Sequence, residues 1–348
     1  MLTKRQEQIL QAIVRQYTAT GQPVGSKLIA SVLPMKVSSA TIRNEMVVLE
    51  HAGLVTKEHS SSGRVPSKQG FRYYVDHLLD PTTITKHDAA AIQNFLGAEF
   101  AKIDELVSDS AQILSDLTSY TAFTLKPEQQ NEKLSGFRLV PLGNSRVLGI
   151  LVTDSGKVES QSFTLPKDVD SEAFEAVVRL INDQLVGLEL PEVVKRLRED
   201  IPYQVTQYLA KPEGFLDVFG NVLEKAAGER FFVGGRFNLL GMEQHKDGKA
   251  MQAIYELLDS DRLSTIIDPA PDNEGITVKI GSEIAKNKLL DDYSLITARY
   301  RVDQYGEGII AVLGPTAMPY PRTIGLVDAF RRELAKRLVN YYHHYYDS

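Results

Sequence analysis

No cysteine occurs in the 348 residues, which removes disulfides, zinc–thiolate sites and thiol nucleophiles at once. No run of about 18 apolar residues occurs either, so nothing reads as a membrane-spanning helix. The opening, MLTKRQEQILQAIV, interleaves amide, acidic and basic side chains where a secretory signal would be apolar. The expectation is a soluble cytoplasmic protein with no membrane partner. The signatures H-E-x-x-H, G-x-x-x-x-G-K-S/T, G-x-S-x-G and G-x-G-x-x-G are missing too. Among the seven histidines, His343-His344 is an isolated pair and reads as surface rather than metal-ligating. Gly234-Gly235 and Gly306 with Gly308 read as turn glycines, and Asp291-Asp292 as a solvated turn before a strand. Neither an enzyme, a cofactor nor a metal site is expected.

What is present is unevenly charged. The length allows two or three domains, and the net charge is −6. Residues 1–80 carry ten Lys and Arg against six Asp and Glu, whereas the rest holds 29 of the 39 basic and 39 of the 45 acidic residues. A head of +4 on a body of −10 is what the electrostatic footprint of a nucleic-acid binder would look like; a chance fluctuation in surface charge is the alternative reading.

The first eighty residues read as one module. Thr3 and Gln6 form a capping box, and Ile9, Leu10, Ile13, Val14 and Tyr17 follow at helical spacing until Gly21 and Pro23. GSKLIASVL is a second short helix, with Ser26 as its expected cap and Pro34 as its stop. After Met35–Val37 comes SSATIRNEMVVLEHAGLV, residues 38–55. Ser38 or Ser39 caps it, Ile42, Met46 and Leu49 form its buried stripe, and Gly53 supplies the left-handed stop. Asn44, Val47 and His51 point away from that stripe, with Thr41 and Arg43 on its flanks. This is helix-turn-helix order, in which the start of the last helix faces the groove. A strand at 54–58, a Ser/Gly turn with Arg64, and Val65-Pro66 make a wing, and SKQGFRYYVDHLL returns as a helix. The same scaffold also serves as a protein-interaction module. The expected DNA-contacting set is Ser26, Lys27, Ser38, Ser39, Thr41, Arg43, Asn44, Arg64, Lys68 and Arg72, the last three against phosphate.

The segments PVGSK (23–27), SSATIRNEM (38–46), GRVP (63–66) and GFRYYVD (70–76) closely resemble the HrcA family of heat-inducible transcription repressors. LTSYTAF (117–123), VKIGSE (278–283) and AVLGPTAMPY (311–320) extend the resemblance over essentially the whole chain. Two departures stand out: Ala317 and Pro319 replace a charged pair usual in the family's C-terminal loop, and Ser62 replaces an alanine in the wing. The resemblance implies an α+β multidomain fold, with a winged helix at 1–80 and a helical linker at 81–104. A GAF-like domain is implied in two parts, 105–189 and 271–348, interrupted by a dimerisation domain at 190–270. It further implies a homodimer on an inverted-repeat, CIRCE-type operator of heat-shock chaperone genes. The GroEL chaperonin would sustain the active form until unfolded clients titrate it away.

The body agrees in rhythm. Apolar positions from Ile92 to Leu117 recur every three or four residues, which suits one or two helices packed on their own domain or on a second copy. Strand-like runs at 134–164, a helix at 171–186, polar helical segments broken by RFFVGGRFNLL, and strands again from GITVKIGSE onward suggest one α+β domain interrupted by another. Two other readings stay open here. A GAF-like domain that binds a small effector would show a ligand-dependent melting shift. An enzyme with a DNA-binding head would lose turnover on mutation of a pocket carboxylate.

Overall fold

The computed structural model describes residues 2–57, 63–80, 84–97, 103–128, 132–143, 146–154, 156, 158–164, 171–208, 219–220, 222–223, 231–239, 266–267, 275–284 and 290–346. Contacts divide the chain into two compact units, Met1–Pro127 with Phe231–Ser348, and Glu128–Arg230.

The first unit begins with α1 (Lys4–Thr20), α2 (Ser26–Val32), α3 (Ser39–His51), β1 (Val55–Thr56), β2 (Val65–Pro66) and α4 (Lys68–His77). The Thr3–Gln6 capping box forms as the sequence dictates. Ile9, Leu10, Ile13 and Val14 of α1 share a core with Ile29, Ile42, Met46, Leu49, Phe71 and Tyr74. The start of α2 differs from expectation: Gly25 occupies the cap position and Ser26 is the first helical residue. Val24 is bridged to Arg64, so Gly25 leaves that bridge still extended, and the helix begins one residue later than a serine cap would place it. The wing is an antiparallel pair, Val55 opposite Pro66 and Thr56 opposite Val65. Its expected turn at 58–62, Ser62 included, lies outside the described residues.

The turn into α4 leaves no room for a side chain at Gly70. A Cβ there would stand 1.9 Å from the Leu54 carbonyl oxygen, a distance that only glycine avoids. Ser67 closes the corner by accepting from the Gly70 N–H at 3.0 Å and donating to the Gly53 carbonyl at 2.5 Å.

The remaining elements are α5 (Lys86–Leu96), α6 (Ile103–Thr118), β3 (Thr121–Glu128), β4 (Leu134–Gly143), β5 (Arg146–Thr153), β6 (Val158–Thr164), α7 (Ser171–Leu185), α8 (Leu190–Glu199), α9 (Ile201–Val205), β7 (Phe231–Gly234), β8 (Ile276–Ile280), β9 (Tyr293–Arg301), β10 (Glu307–Pro315) and α10 (Tyr320–Tyr346). In the first unit a five-stranded sheet runs β7-β3-β10-β9-β8. β9 and β10 are buried along almost their whole length, and β10 carries the continuous apolar run Ile309–Leu313 that such burial suits. Ile296, Ala298, Ile310 and Val312 pack with Leu106, Val107 and Leu114 of α6 and with Val327, Phe330, Leu334 and Leu338 of α10. That core is continuous with the core of α1–α4.

In the second unit β4, β5 and β6 form a three-stranded antiparallel sheet. Phe137 and Leu151 pack against Val177, Ile181 and Leu185 of α7. Asn182 fixes that packing, accepting from the Phe137 N–H at 2.9 Å and donating to its carbonyl at 2.8 Å. The strands at 134–164, which the rhythm places with the first part of the interrupted domain, thus belong to a separate sheet. Phe231–Gly234, placed by the same rhythm inside the insert, is an edge strand beside β3. Alternation identifies a strand but not the sheet it joins: β4, β5 and β6 pair with one another, while β3 finds its partner β7 more than a hundred residues away.

One buried charge ties the head together. Glu45 on α3 accepts from Arg5 Nε at 2.8 Å and Gln6 Nε2 at 2.9 Å. The Gln6 hydrogen bond and the Arg5 charge hold its carboxyl below the usual carboxylate range, against the opposing effect of burial. A lowered folded-state value stabilises the fold above the ordinary carboxylate range, and that contribution disappears as pH falls through the folded value. Glu45→Gln should therefore cost about 1–2 kcal/mol near neutral pH, and urea-unfolding curves of variant and parent should converge in acid. A constant gap down to acid pH would show that the carboxylate's charge contributes nothing.

Candidate nucleic-acid interface

α3 is built to present a face. Ser38 Oγ accepts from the Thr41 N–H at 3.1 Å and lies 2.9 Å from the Thr41 hydroxyl, which fixes the first turn. Ile42, Glu45, Met46 and Leu49 are buried. At 100° per residue the opposite line is Ala40, Asn44, Val47 and His51, and all four are exposed. Arg43 is exposed beside this line, Thr41 half-buried on the other flank, and Ser39 half-buried in the first turn. Among the described residues, Arg43 and Asn44 have no hydrogen-bond or ion-pair partner. Lys27, exposed at the start of α2 beside half-buried Ser26, is likewise unpaired among them. A free amide and free cations beside a capped helix start are the groups that meet base edges and phosphates.

The three cations expected on phosphate are placed differently. Arg64 is 7% exposed, and its guanidinium is ion-paired with Glu50 at 2.7 Å. Its backbone bonds Val24 in both directions at 2.9 Å. A phosphate contact by Arg64 would require breaking that buried pair, so its role in this structure is to pin the wing to α3 and to the strand before α2. Arg72 is committed to three acceptors: Asp76 at 2.5 Å, the Val278 carbonyl at 2.7 Å and Glu283 at 3.2 Å. Lys68 is half-exposed but stands 3.5 Å from Asp291 and 3.8 Å from Asp292. The acidic pair that reads as a solvated turn is thus a counter-charge for α4. Phe71 lies between these cations in sequence, and its ring is 6.0 Å from that of Tyr320, whose hydroxyl lies 2.7 Å from the Ser294 hydroxyl. α4 is a docking helix that joins the winged head to the five-stranded body.

The expected set therefore separates. Ser38, Thr41, Arg43 and Asn44 gather at the start of α3, with Ser39 among them and Ser26 and Lys27 on the preceding helix. Arg64 and Arg72 turn inward, and Lys68, half-exposed, faces Asp291 and Asp292. Missing from that set are Ala40 and Val47, which lie on the same outward line as Asn44; helical periodicity alone locates them.

A capped, outward-facing third helix, an antiparallel wing and free cations on a basic head define a winged-helix DNA-binding regulator. Residues 1–72 match the family described as the winged helix-turn-helix transcription repressor, HrcA DNA-binding, and residues 104–324 match the HrcA protein C terminal domain. The chain is 67% identical over 350 residues, covering 100% of both sequences, to the heat-inducible transcription repressor HrcA of Limosilactobacillus reuteri (strain DSM 20016). It is 51% identical, over 99% of both, to that of Ligilactobacillus salivarius (strain UCC118). The chain belongs to the HrcA family of heat-inducible transcription repressors. A crystal structure of a hypothetical protein at 2.2 Å resolution shares the fold, with a TM-score of 0.55 at 23% identity over 97% of this chain and 98% of that one. No helix among the described residues is long and apolar enough to cross a membrane.

The placement of Arg64 yields a test. Arg64→Ala should lower unfolding stability by about 1–3 kcal/mol, because Glu50 loses a buried partner. It should leave the slope of log K against log salt unchanged, since no phosphate contact is lost. A slope reduced by about 0.9 would instead put Arg64 on the DNA backbone.

Proposed function

We propose that this protein represses heat-shock chaperone operons by laying α3 in the major groove of a CIRCE-type inverted-repeat operator, one head per half-site. The observation that carries the reading is the outward face of α3, unpartnered among the described residues, with Arg43 and Asn44 at its groove-entering end. An asparagine can bond adenine N6 and N7 together, and an arginine can bond guanine O6 and N7. Ser38, Ser39, Thr41 and the exposed Lys27 supply contacts to the flanking phosphates.

An inverted repeat calls for a two-fold protein, so the active species is a homodimer. The five-stranded sheet with α6 and α10 on one face serves as the GAF-like domain. The dimerisation domain, expected at 190–270 by resemblance, is redrawn in this proposal around the compact unit at 128–230. Exposed Val140 and Val158 on the outer strands of its sheet support that role. The GroEL chaperonin sustains the DNA-binding form, and its titration by unfolded clients releases repression. The protein acts in the cytoplasm, as a regulator rather than an enzyme.

A gel shift with purified protein and a chaperone-operon promoter duplex, with and without chaperonin, tests the reading. Arg43→Ala and Asn44→Ala should each weaken operator binding by about 1–3 kcal/mol while changing binding to random DNA far less. Equal losses on both would reduce these residues to phosphate contacts. About five base pairs inserted between the half-sites would turn one of them to the opposite side of the duplex. The insertion should abolish most of the operator preference; if it is harmless, the two heads are not held as a dimer of fixed geometry.

A further inference from the structure

We propose that Val47 reads a thymine C5-methyl group in the major groove, one helical turn beyond the base contact assigned to Asn44. The inference rests on α3 being the recognition helix and specifies what its middle turn recognises.

The outward line of α3 alternates in chemistry: Ala40 is apolar, Asn44 polar and Val47 apolar. Val47 is 37% exposed and its neighbour Val48 47%. β-Branched side chains are poor helix formers, and a valine that keeps over a third of its surface in water gains less from burial than one in the core. A single surface valine needs no explanation. This one sits at the centre of the face that carries the free Asn44 amide and Arg43 guanidinium. A residue that departs from local preference with only partial compensation from burial suits a surface shaped for a partner.

The groove narrows that partner to one chemical group. Base edges in the major groove offer hydrogen-bond donors and acceptors, and the thymine methyl is the apolar group among them. In a helix the valine χ1 is held almost entirely in one rotamer, so the Val47 methyls are oriented before DNA arrives and little side-chain entropy is lost on contact. Ala40, about two turns toward the N-terminus on the same line, adds only a methyl group. Ser38 fixes the turn ahead of it through the Thr41 N–H at 3.1 Å. The capped end of α3 can therefore enter deeply enough for Val47 to reach base edges, rather than stopping at the phosphates.

The test uses the intact protein and fluorescence anisotropy on the chaperone-operon promoter duplex, with each thymine of one half-site replaced singly by uracil. That exchange removes the methyl and leaves every hydrogen-bonding group in place. At one position, uracil should weaken binding by the wild-type protein about fourfold, the transfer value of one buried methyl. Val47→Ala should bind the natural duplex more weakly by a similar factor, and uracil at that same position should cost the variant nothing further. An unchanged melting temperature for Val47→Ala shows that the loss is not one of folding. The proposal is overturned if every uracil exchange affects wild type and variant equally, or if none affects either. A wild-type protein that prefers the promoter duplex but ignores all methyls overturns this inference alone. One that binds a scrambled duplex as tightly as the promoter overturns the operator reading with it.

Discussion

The docking of α4 against the five-stranded body governs how the rest of the head is presented. Phe71 and Tyr320 are both almost fully buried and meet ring to ring across the joint. Burial of two such side chains is worth about 1.5–3 kcal/mol each. The half-exposed pairs of Lys68 with Asp291 and Asp292 contribute about 0–1 kcal/mol apiece. The apolar contact therefore holds the joint, and the polar groups set its register. Arg72 is the clearest of these. Its planar guanidinium is held by a carboxylate of its own helix and bonds a carbonyl of β8 and a carboxylate just beyond it, so sliding α4 by one residue would break both bonds to the body together. A head fixed in this way points α3 in one direction relative to the body.

The segments that carry the resemblance to the family converge on this joint. GFRYYVD supplies Phe71 and Arg72, VKIGSE supplies the Val278 carbonyl and Glu283, and GPTAMPY supplies Tyr320. The departures at Ala317 and Pro319 fall in the turn that delivers Tyr320. Met318 is fully buried there, with its N–H bonded to the Pro315 carbonyl at 3.0 Å, and Ala317 packs against the main core. This chain holds that turn by packing.

The head was legible in the sequence because what builds it is local. The Thr3 and Ser38 caps, the 3.6-residue stripes of α1 and α3 and the glycine stop at Gly53 all act within a few residues of one another. Arg64, Lys68 and Arg72 were not legible, because a cation's role depends on its nearest carboxylate. Theirs include Glu50, fourteen residues before Arg64, and Asp291 and Glu283, more than two hundred residues after Lys68 and Arg72. The basic charge of the head pointed to DNA, yet part of that charge is spent on the acidic body. Sheet membership was hidden for a similar reason. β3 and β7 pair across the whole of the second unit, and strand alternation carries no record of its partner.

The central claim is that α4 locks the winged head onto the body in one orientation. The absence of cysteine makes every introduced thiol a unique labelling site within the chain, so pulsed-EPR distances between spin labels at Lys36→Cys and Arg332→Cys, in doubly labelled chain diluted with excess unlabelled protein so that only distances within one chain are read, test it directly. One narrow distance distribution is predicted for the otherwise wild-type protein, broadening when Arg72→Gln and Phe71→Ala are added. A distribution already broad before α4 is altered would contradict the account.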